Sequence, residues 1–126
     1  MPAKILLAGG QWRPRALVLA ELVEGGYDVS AVETWDEAEL LLRTHAVRPA
    51  AVVFDLEDES HPEAALATLC RLVAPDRAVI LTSAGALPGA AVRSLGFTRA
   101  LARPYSVGDV VEQVREIVRS GSQEPS

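Results

Sequence analysis

The stretch AAVVFD at residues 50–55 decides the fold, because five apolar residues run directly into the carboxylate of Asp55. A second apolar run, KILLA at residues 4–8, ends in the glycine pair Gly9 and Gly10. Strands that are apolar almost throughout are typical of a parallel sheet covered by helices on both faces. In such sheets, functional groups lie beyond the carboxyl ends of the strands. Asp55 is therefore a candidate nucleophile or ligand.

Apolar runs of this kind alternate with segments of helical period five times along the chain. The pattern predicts strands at residues 4–8, 27–32, 50–54, 78–81 and 100–102, and helices at 14–24, 35–45, 62–73, 88–95 and 107–119. Because crossovers between parallel strands are right-handed, the helices should cover both sides of one twisted sheet. The sequence therefore predicts an α/β fold.

Length, charge and composition exclude several functional classes. At 126 residues the chain fits one domain, expected at 1–119, followed by a flexible polar tail at 120–126. The net charge of −5 and a single lysine argue against nucleic-acid binding by this domain. No apolar run approaches the roughly 20 residues of a membrane span, and the start lacks a signal-peptide pattern. The lone Cys70 fits a reducing compartment, so we expect a cytoplasmic domain that does not bind membranes.

Polar residues also end the last two predicted strands. Thr82 and Ser83 follow the fourth strand, and Arg103 and Pro104 follow the fifth. Together with Asp55, this arrangement resembles the receiver domain of two-component response regulators, over residues 4 to about 119. The resemblance implies a flavodoxin-like (βα)₅ three-layer sandwich, with a five-stranded parallel sheet in the order 2-1-3-4-5. It also implies that Asp55 accepts a phosphoryl group from a histidine kinase.

The chain departs from the receiver pattern where the chemistry occurs. The family places two acidic residues for Mg²⁺ after the first strand, and Gly9 and Gly10 stand there instead. Arg103 replaces the family's lysine, whereas Asp55 and Thr82 keep the family identities at the catalytic positions. Mg²⁺ needs fixed oxygen ligands, and phosphoryl transfer depends on metal neutralisation of charge. We therefore expect no bound metal or cofactor, a direct Asp55–Arg103 ion pair, and impaired or lost phosphorylation.

The resemblance also implies an interaction surface on the fourth helix, fifth strand and fifth helix. Ala100 stands at the position of the family's aromatic switch residue, so coupling between this surface and Asp55 should be weak. Expected partners are a histidine kinase or another signalling protein, and the surface also suits a homodimer. We define the interaction face as Ala90, Arg93, Ser94, Arg99, Ala100, Tyr105, Glu112 and Arg115.

Three functions remain open at this point. The leading hypothesis is a non-enzymatic pseudo-receiver that serves signal transduction or protein interaction. A second is a phosphorylation-competent response regulator with an atypical metal site, to which Glu57 and the following acidic residues contribute. A third is a small flavodoxin-like domain that binds a nucleotide or cofactor, with Gly9 and Gly10 as a phosphate loop. The complete dinucleotide fingerprint is absent, because no third glycine follows.

Overall fold

The computed structural model describes residues 2–83, 85 and 87–123. Within these residues, strands and α-helices alternate from β1 to α5, with a short 3₁₀ turn before β4. The strands are β1 (Lys4–Gly9), β2 (Asp28–Val32), β3 (Ala51–Asp55), β4 (Ala78–Thr82) and β5 (Ala100–Ala102). The helices are α1 (Trp12–Glu24), α2 (Trp35–Arg43), α3 (Pro62–Leu72), α4 (Gly89–Ser94) and α5 (Val107–Gln123).

The strands form one sheet in the order β2-β1-β3-β4-β5, and each neighbouring pair is parallel. The predicted flavodoxin-like fold and strand order are therefore confirmed. The register pairs Gly9 with Asp55 and Thr82 with Ala102. The carboxyl ends of β1, β3, β4 and β5 consequently meet at one edge of the sheet, which we call the carboxyl edge.

The core has two halves, one on each face of the sheet. Buried residues of α2, α3 and α4 pack on one face, where the ring of Trp35 stacks on Phe54 with centroids 5.1 Å apart. Residues of α1 and α5, such as Leu22 and Val114, pack on the other face. This division confirms the predicted placement of the helices. It leaves both faces of the central strands without contact to water.

Several element boundaries differ from the sequence prediction. Helix α1 begins at Trp12 rather than Pro14, and β3 includes Asp55 as its last residue. Helix α5 continues to Gln123, so the first residues of the predicted tail are helical, while residues 124–126 lie outside the described residues.

Within the described residues, no helix combines the length and the apolar character needed to cross a membrane.

Candidate functional site

Asp55 lies at the carboxyl edge with 5% of its surface exposed, and both of its carboxylate oxygens accept hydrogen bonds. Oδ1 accepts the Glu57 backbone N–H at 2.9 Å, which closes the turn after β3. Oδ2 accepts hydrogen bonds from Arg103 Nη2 at 3.0 Å and from the Tyr105 hydroxyl at 3.3 Å. The predicted Asp55–Arg103 ion pair is confirmed. Three hydrogen bonds therefore hold the Asp55 carboxylate in place.

Arg103 lies between two carboxylates. Its backbone N–H donates to the Thr82 carbonyl at 2.8 Å, which fixes the segment after β5, and the Arg103–Pro104 peptide bond is cis. Nε lies 3.3 Å from Glu57 Oε2, close enough for an ion pair but without the alignment of a hydrogen bond. Burial lowers the pKa of Arg103, but the nearby charges, led by Asp55, raise it by more. The guanidinium therefore stays charged.

Tyr105 completes this cluster, although the sequence suggested it only for the interaction face. The Arg103 guanidinium carbon lies 5.3 Å from the centroid of the Tyr105 ring, a cation–π distance. Burial, and after it the negative charge of Asp55, raises the pKa of Tyr105 to about 12. The phenol is therefore neutral at physiological pH and able to donate its proton to the carboxylate.

The raised pKa of Tyr105 predicts a late phase in an ultraviolet absorbance titration of tyrosinate. The unfolded-state pKa is near 10, so neutral Tyr105 stabilises the fold below pH 10, and this contribution is lost as the pH rises through about 12. Tyr105→Phe should remove the late phase, and Asp55→Asn should lower its midpoint because one of the two main causes is gone. A late phase that persists in Tyr105→Phe would show that Tyr105 does not cause it.

Gly9 and Gly10 bring the β1–α1 loop against Asp55. Their φ angles are +76° and +78°, a left-handed backbone conformation that side chains rarely adopt. A Cβ atom on Gly9 would lie 2.5 Å from the Asp55 carbonyl oxygen, and one on Gly10 would lie 2.7 Å from Asp55 Oδ2. The loop therefore requires glycine at both positions and offers only backbone oxygens to the site.

Arg15 is a second guanidinium at this edge, and the sequence reasoning missed it. From the first turns of α1, Nη1 donates to the Gly10 carbonyl at 3.0 Å and approaches the Gly9 carbonyl at 3.5 Å. Nη2 lies 3.9 Å from Glu33 Oε1, and only 13% of the side chain is exposed. Nothing in the sequence spacing distinguishes Arg15 from the other arginines, because its role depends on how α1 packs beside the glycine loop.

Thr82 ends β4 with 1% of its surface exposed. Its hydroxyl donates to the Leu87 carbonyl, across the connection between β4 and α4. Within the part of the chain that the structure describes, no hydrogen bond joins this hydroxyl to Asp55. Asp55, Arg103 and Thr82 therefore occupy neighbouring strand ends as the sequence suggested, but the contacts bring only Asp55 and Arg103 together.

These residues do not fit a Mg²⁺ ion. Across residues 2–83, 85 and 87–123, no group of three or more His, Cys, Asp or Glu side chains could hold a metal. Asp55 already accepts three hydrogen bonds, Glu57 pairs with Arg103, and the Gly10 carbonyl accepts from Arg15. Two guanidinium groups at the site also repel a cation. Octahedral oxygen ligation, which Mg²⁺ demands, has no matching donor set here.

The arginines of the interaction face are already engaged within the chain. Arg99 donates to Gln113 Oε1 and Glu116 Oε2, both at 2.8 Å, and Arg115 pairs with Glu112 in the same helix. Arg93 donates to the Ala100 carbonyl at 3.4 Å. Among the residues of the interaction face, Tyr105 contacts Asp55. That the face binds a partner stays a prediction.

No family model matches the sequence, and no curated protein is similar to it. Solved structures, by contrast, match closely in shape. The receiver domain of Francisella response regulator 1452 superposes with a TM-score of 0.78 at 17% identity, covering 94% of this chain and 98% of that one. A response regulator receiver protein from Sinorhizobium medicae gives 0.76 at 18% identity, covering 94% and 96%. One from Pseudomonas putida gives 0.76 at 17% identity, covering 92% and 98%.

The similarity extends over nearly the whole of each matched domain and agrees with the observed strand order. Sequence identities of 17–18% show similarity of the fold only, so the chemistry has to be inferred from this chain's own residues. The chain therefore has the fold of response regulator receiver domains.

Proposed function

We propose that this chain is a pseudo-receiver: a non-enzymatic signalling module with the receiver fold that is not switched by Mg²⁺-dependent phosphorylation of Asp55. The observation that carries the proposal is the state of the Asp55 carboxylate, which is buried and bonded to Arg103, Tyr105 and the Glu57 N–H. An accessible phosphoacceptor needs a free oxygen and a metal beside it. Both carboxylate oxygens of Asp55 already accept hydrogen bonds, and the surrounding residues do not supply the ligands that a metal needs.

The electrostatics of the site support the same conclusion. A phosphoryl group brings about −1.5 to −2 units of charge, which must be compensated where it is added. Arg103 would have to release Asp55 before it could hold a phosphoryl oxygen, losing a charge-assisted hydrogen bond. Tyr105 would lose its acceptor at the same time. The existing contacts therefore oppose the step that a metal would normally favour.

We further propose that the chain acts by binding a protein, a histidine kinase or another signalling component, or a second copy of itself, through the interaction face. Ala100 has only a methyl group at the position of the aromatic switch, so it has no second bulky rotamer with which to transmit a change at Asp55. Coupling between this face and Asp55 should then be weak, although Tyr105 contacts Asp55 directly. The proposed unit covers residues 1–119 together with the continuation of α5.

The competing reading of Gly9 and Gly10 as a phosphate loop has less support. The Asp55 carboxylate lies so close to Gly10 that an added Cβ would overlap it. A phosphate bound at this loop would therefore face a carboxylate at short range, and like charges repel. The glycine pair is better explained by its left-handed backbone and its contact with Asp55.

The absence of a working metal site can be tested by a Mg²⁺ titration monitored through backbone amide resonances. We expect the Gly9, Gly10, Asp55 and Glu57 amides to shift no more at a large excess of Mg²⁺ than in sodium chloride of equal ionic strength. Saturable shifts confined to these amides would contradict the proposal, because they would show that the ion displaces the guanidinium groups.

A further inference from the structure

A cleft of about 750 Å³ lies at the amino ends of the central strands, the opposite edge of the sheet from Asp55. It is formed where α2 and α3 end, by the segments that lead into β3 and β4. Its volume falls within the roughly 300–1,000 Å³ that small-molecule sites occupy. None of the contacts described for Asp55 involves it.

The lining of this cleft has a charge opposite to that of the protein. Four arginines line it, Arg43, Arg48, Arg71 and Arg77, against the single acidic residue Asp76. With histidine neutral, four positive charges and one negative charge give a formal charge of +3, in a chain whose net charge is −5. Four of the twelve Lys and Arg side chains of this acidic chain thus line one cleft. Such a concave cationic region attracts anions.

Ion pairs among the described residues do not account for two of these arginines. Arg48 and Arg71 are exposed, and within the described residues neither makes an ion pair. Arg43 pairs with Glu39 through Nε at 2.6 Å. Arg43 and Arg71 also lie in the last turns of α2 and α3, where a cation offsets the helix dipole. Arg48 lies outside any helix and lacks even that explanation.

Apolar side chains also line the cleft. Leu42 and Val47 are buried core residues that expose little surface to it, whereas Leu72 and Val73 are partly buried. Guanidinium groups form a planar fork that binds phosphate oxygens in pairs. A cleft that combines guanidinium groups with some apolar side chains suits a ligand with a flat body and a charged end. Arg48 and Arg71 supply two guanidinium groups without an ion-pair partner among the described residues, which suits a ligand with more than one phosphate.

We propose that this cleft binds a nucleoside di- or triphosphate, with its base against Leu72 and Val73 and its phosphates on Arg48 and Arg71. Arg43 contributes the donors that its pairing with Glu39 leaves available. The site is distinct from the carboxyl edge, so it does not depend on whether Asp55 is phosphorylated. Failure of the pseudo-receiver proposal would leave it standing, and the reverse also holds.

Isothermal titration calorimetry near physiological ionic strength tests the proposal with four probes: ATP, ADP, pyrophosphate and adenosine. We expect ATP and ADP to bind with a Kd below about 1 mM. Pyrophosphate and adenosine should each bind more weakly, because each supplies one half of the recognition. In a parallel amide-resonance titration with ATP, the largest shifts should fall at Val47, Arg48 and Leu72.

The double variant Arg48→Gln/Arg71→Gln should weaken ATP binding by at least about tenfold, equivalent to 1.4 kcal/mol. The matched control is Arg13→Gln/Arg119→Gln, which removes the same charge from exposed positions of α1 and α5 outside the cleft. It should change the affinity less than twofold. Thermal unfolding of both double variants checks that each is folded.

Three results would overturn the proposal. ATP and ADP that fail to bind at several millimolar would show that the arginines serve only the helix ends and solubility. An equal loss of affinity in the control variant would show that the binding is only long-range charge attraction. ATP-induced shifts centred on Gly9 and Gly10 would move the site to the carboxyl edge.

Discussion

Gly10→Ala is expected to lower the free energy of unfolding by about 3 kcal/mol or more. A left-handed residue with a side chain costs about 1–2 kcal/mol, and the φ of Gly10 is +78°. The new Cβ would also lie 2.7 Å from Asp55 Oδ2 and 2.9 Å from its Cβ and Cγ. Asp55 cannot yield easily, because moving it breaks its bonds to Arg103 and Tyr105.

Chemical denaturation of the unchanged protein and of Gly10→Ala measures this loss. A second variant, Gly26→Ala, separates the backbone strain from the steric overlap with Asp55. Gly26 has a φ of +91°, but a Cβ there would meet no atom within 4 Å. Gly26→Ala should therefore lower the free energy of unfolding only by the conformational strain, about 1–2 kcal/mol. If Gly10→Ala costs no more than Gly26→Ala, the close approach of the glycine loop to Asp55 is not a feature of the folded protein.

Arg103→Met is expected to destabilise the fold by about 2–3 kcal/mol. Removing one partner of a buried ion pair leaves an uncompensated charge and costs about 3–5 kcal/mol. The Asp55 side chain is only 7% exposed, but that of Arg103 is 32% exposed, so solvent screening reduces the figure. Equilibrium unfolding by denaturant measures the change.

Asp55→Asn should rescue much of the loss caused by Arg103→Met, because it removes the charge that Arg103 balances. The asparagine oxygen can still accept the Glu57 N–H, and its amide nitrogen, at the place of Oδ2, can donate to the Tyr105 hydroxyl oxygen. We expect a coupling of about 1–2 kcal/mol in the double-mutant cycle. Arg115→Met, which removes an exposed pair with Glu112, should cost less than about 1 kcal/mol. Additive effects of Asp55→Asn and Arg103→Met would mean that the two side chains do not interact.

The fold was predictable because its main features are local. The central strands are apolar almost throughout, the helices have a regular period, and Thr34 caps α2 by accepting the Glu37 N–H. The tryptophans show the limit of such reasoning. Trp12 and Trp35 each begin a helix, yet Trp12 is 70% exposed and Trp35 is 6% exposed. Trp35 is buried because its ring stacks on Phe54, a residue distant in the sequence. The local sequence therefore does not distinguish the two tryptophans.

The site was predictable in part, for a related reason. Asp55 and Arg103 end strands of one parallel sheet, so their approach follows from the topology and the reach of arginine. Arg15 and Tyr105 join them through the direction of individual side chains, which no spacing encodes. The glycines at positions 9 and 10 were interpreted as a loss of metal ligands. The structure adds that the backbone there excludes any side chain.

The central claim is that Asp55 is not a working phosphoacceptor. Its most direct test is intact-mass spectrometry after incubation of the protein with Mg²⁺ and a small-molecule phosphodonor, beside a receiver that retains the acidic pair. The account predicts that only the comparison protein gains the mass of a phosphoryl group. A substantial Mg²⁺-dependent gain of one phosphoryl group in this chain, abolished by Asp55→Ala, would contradict it.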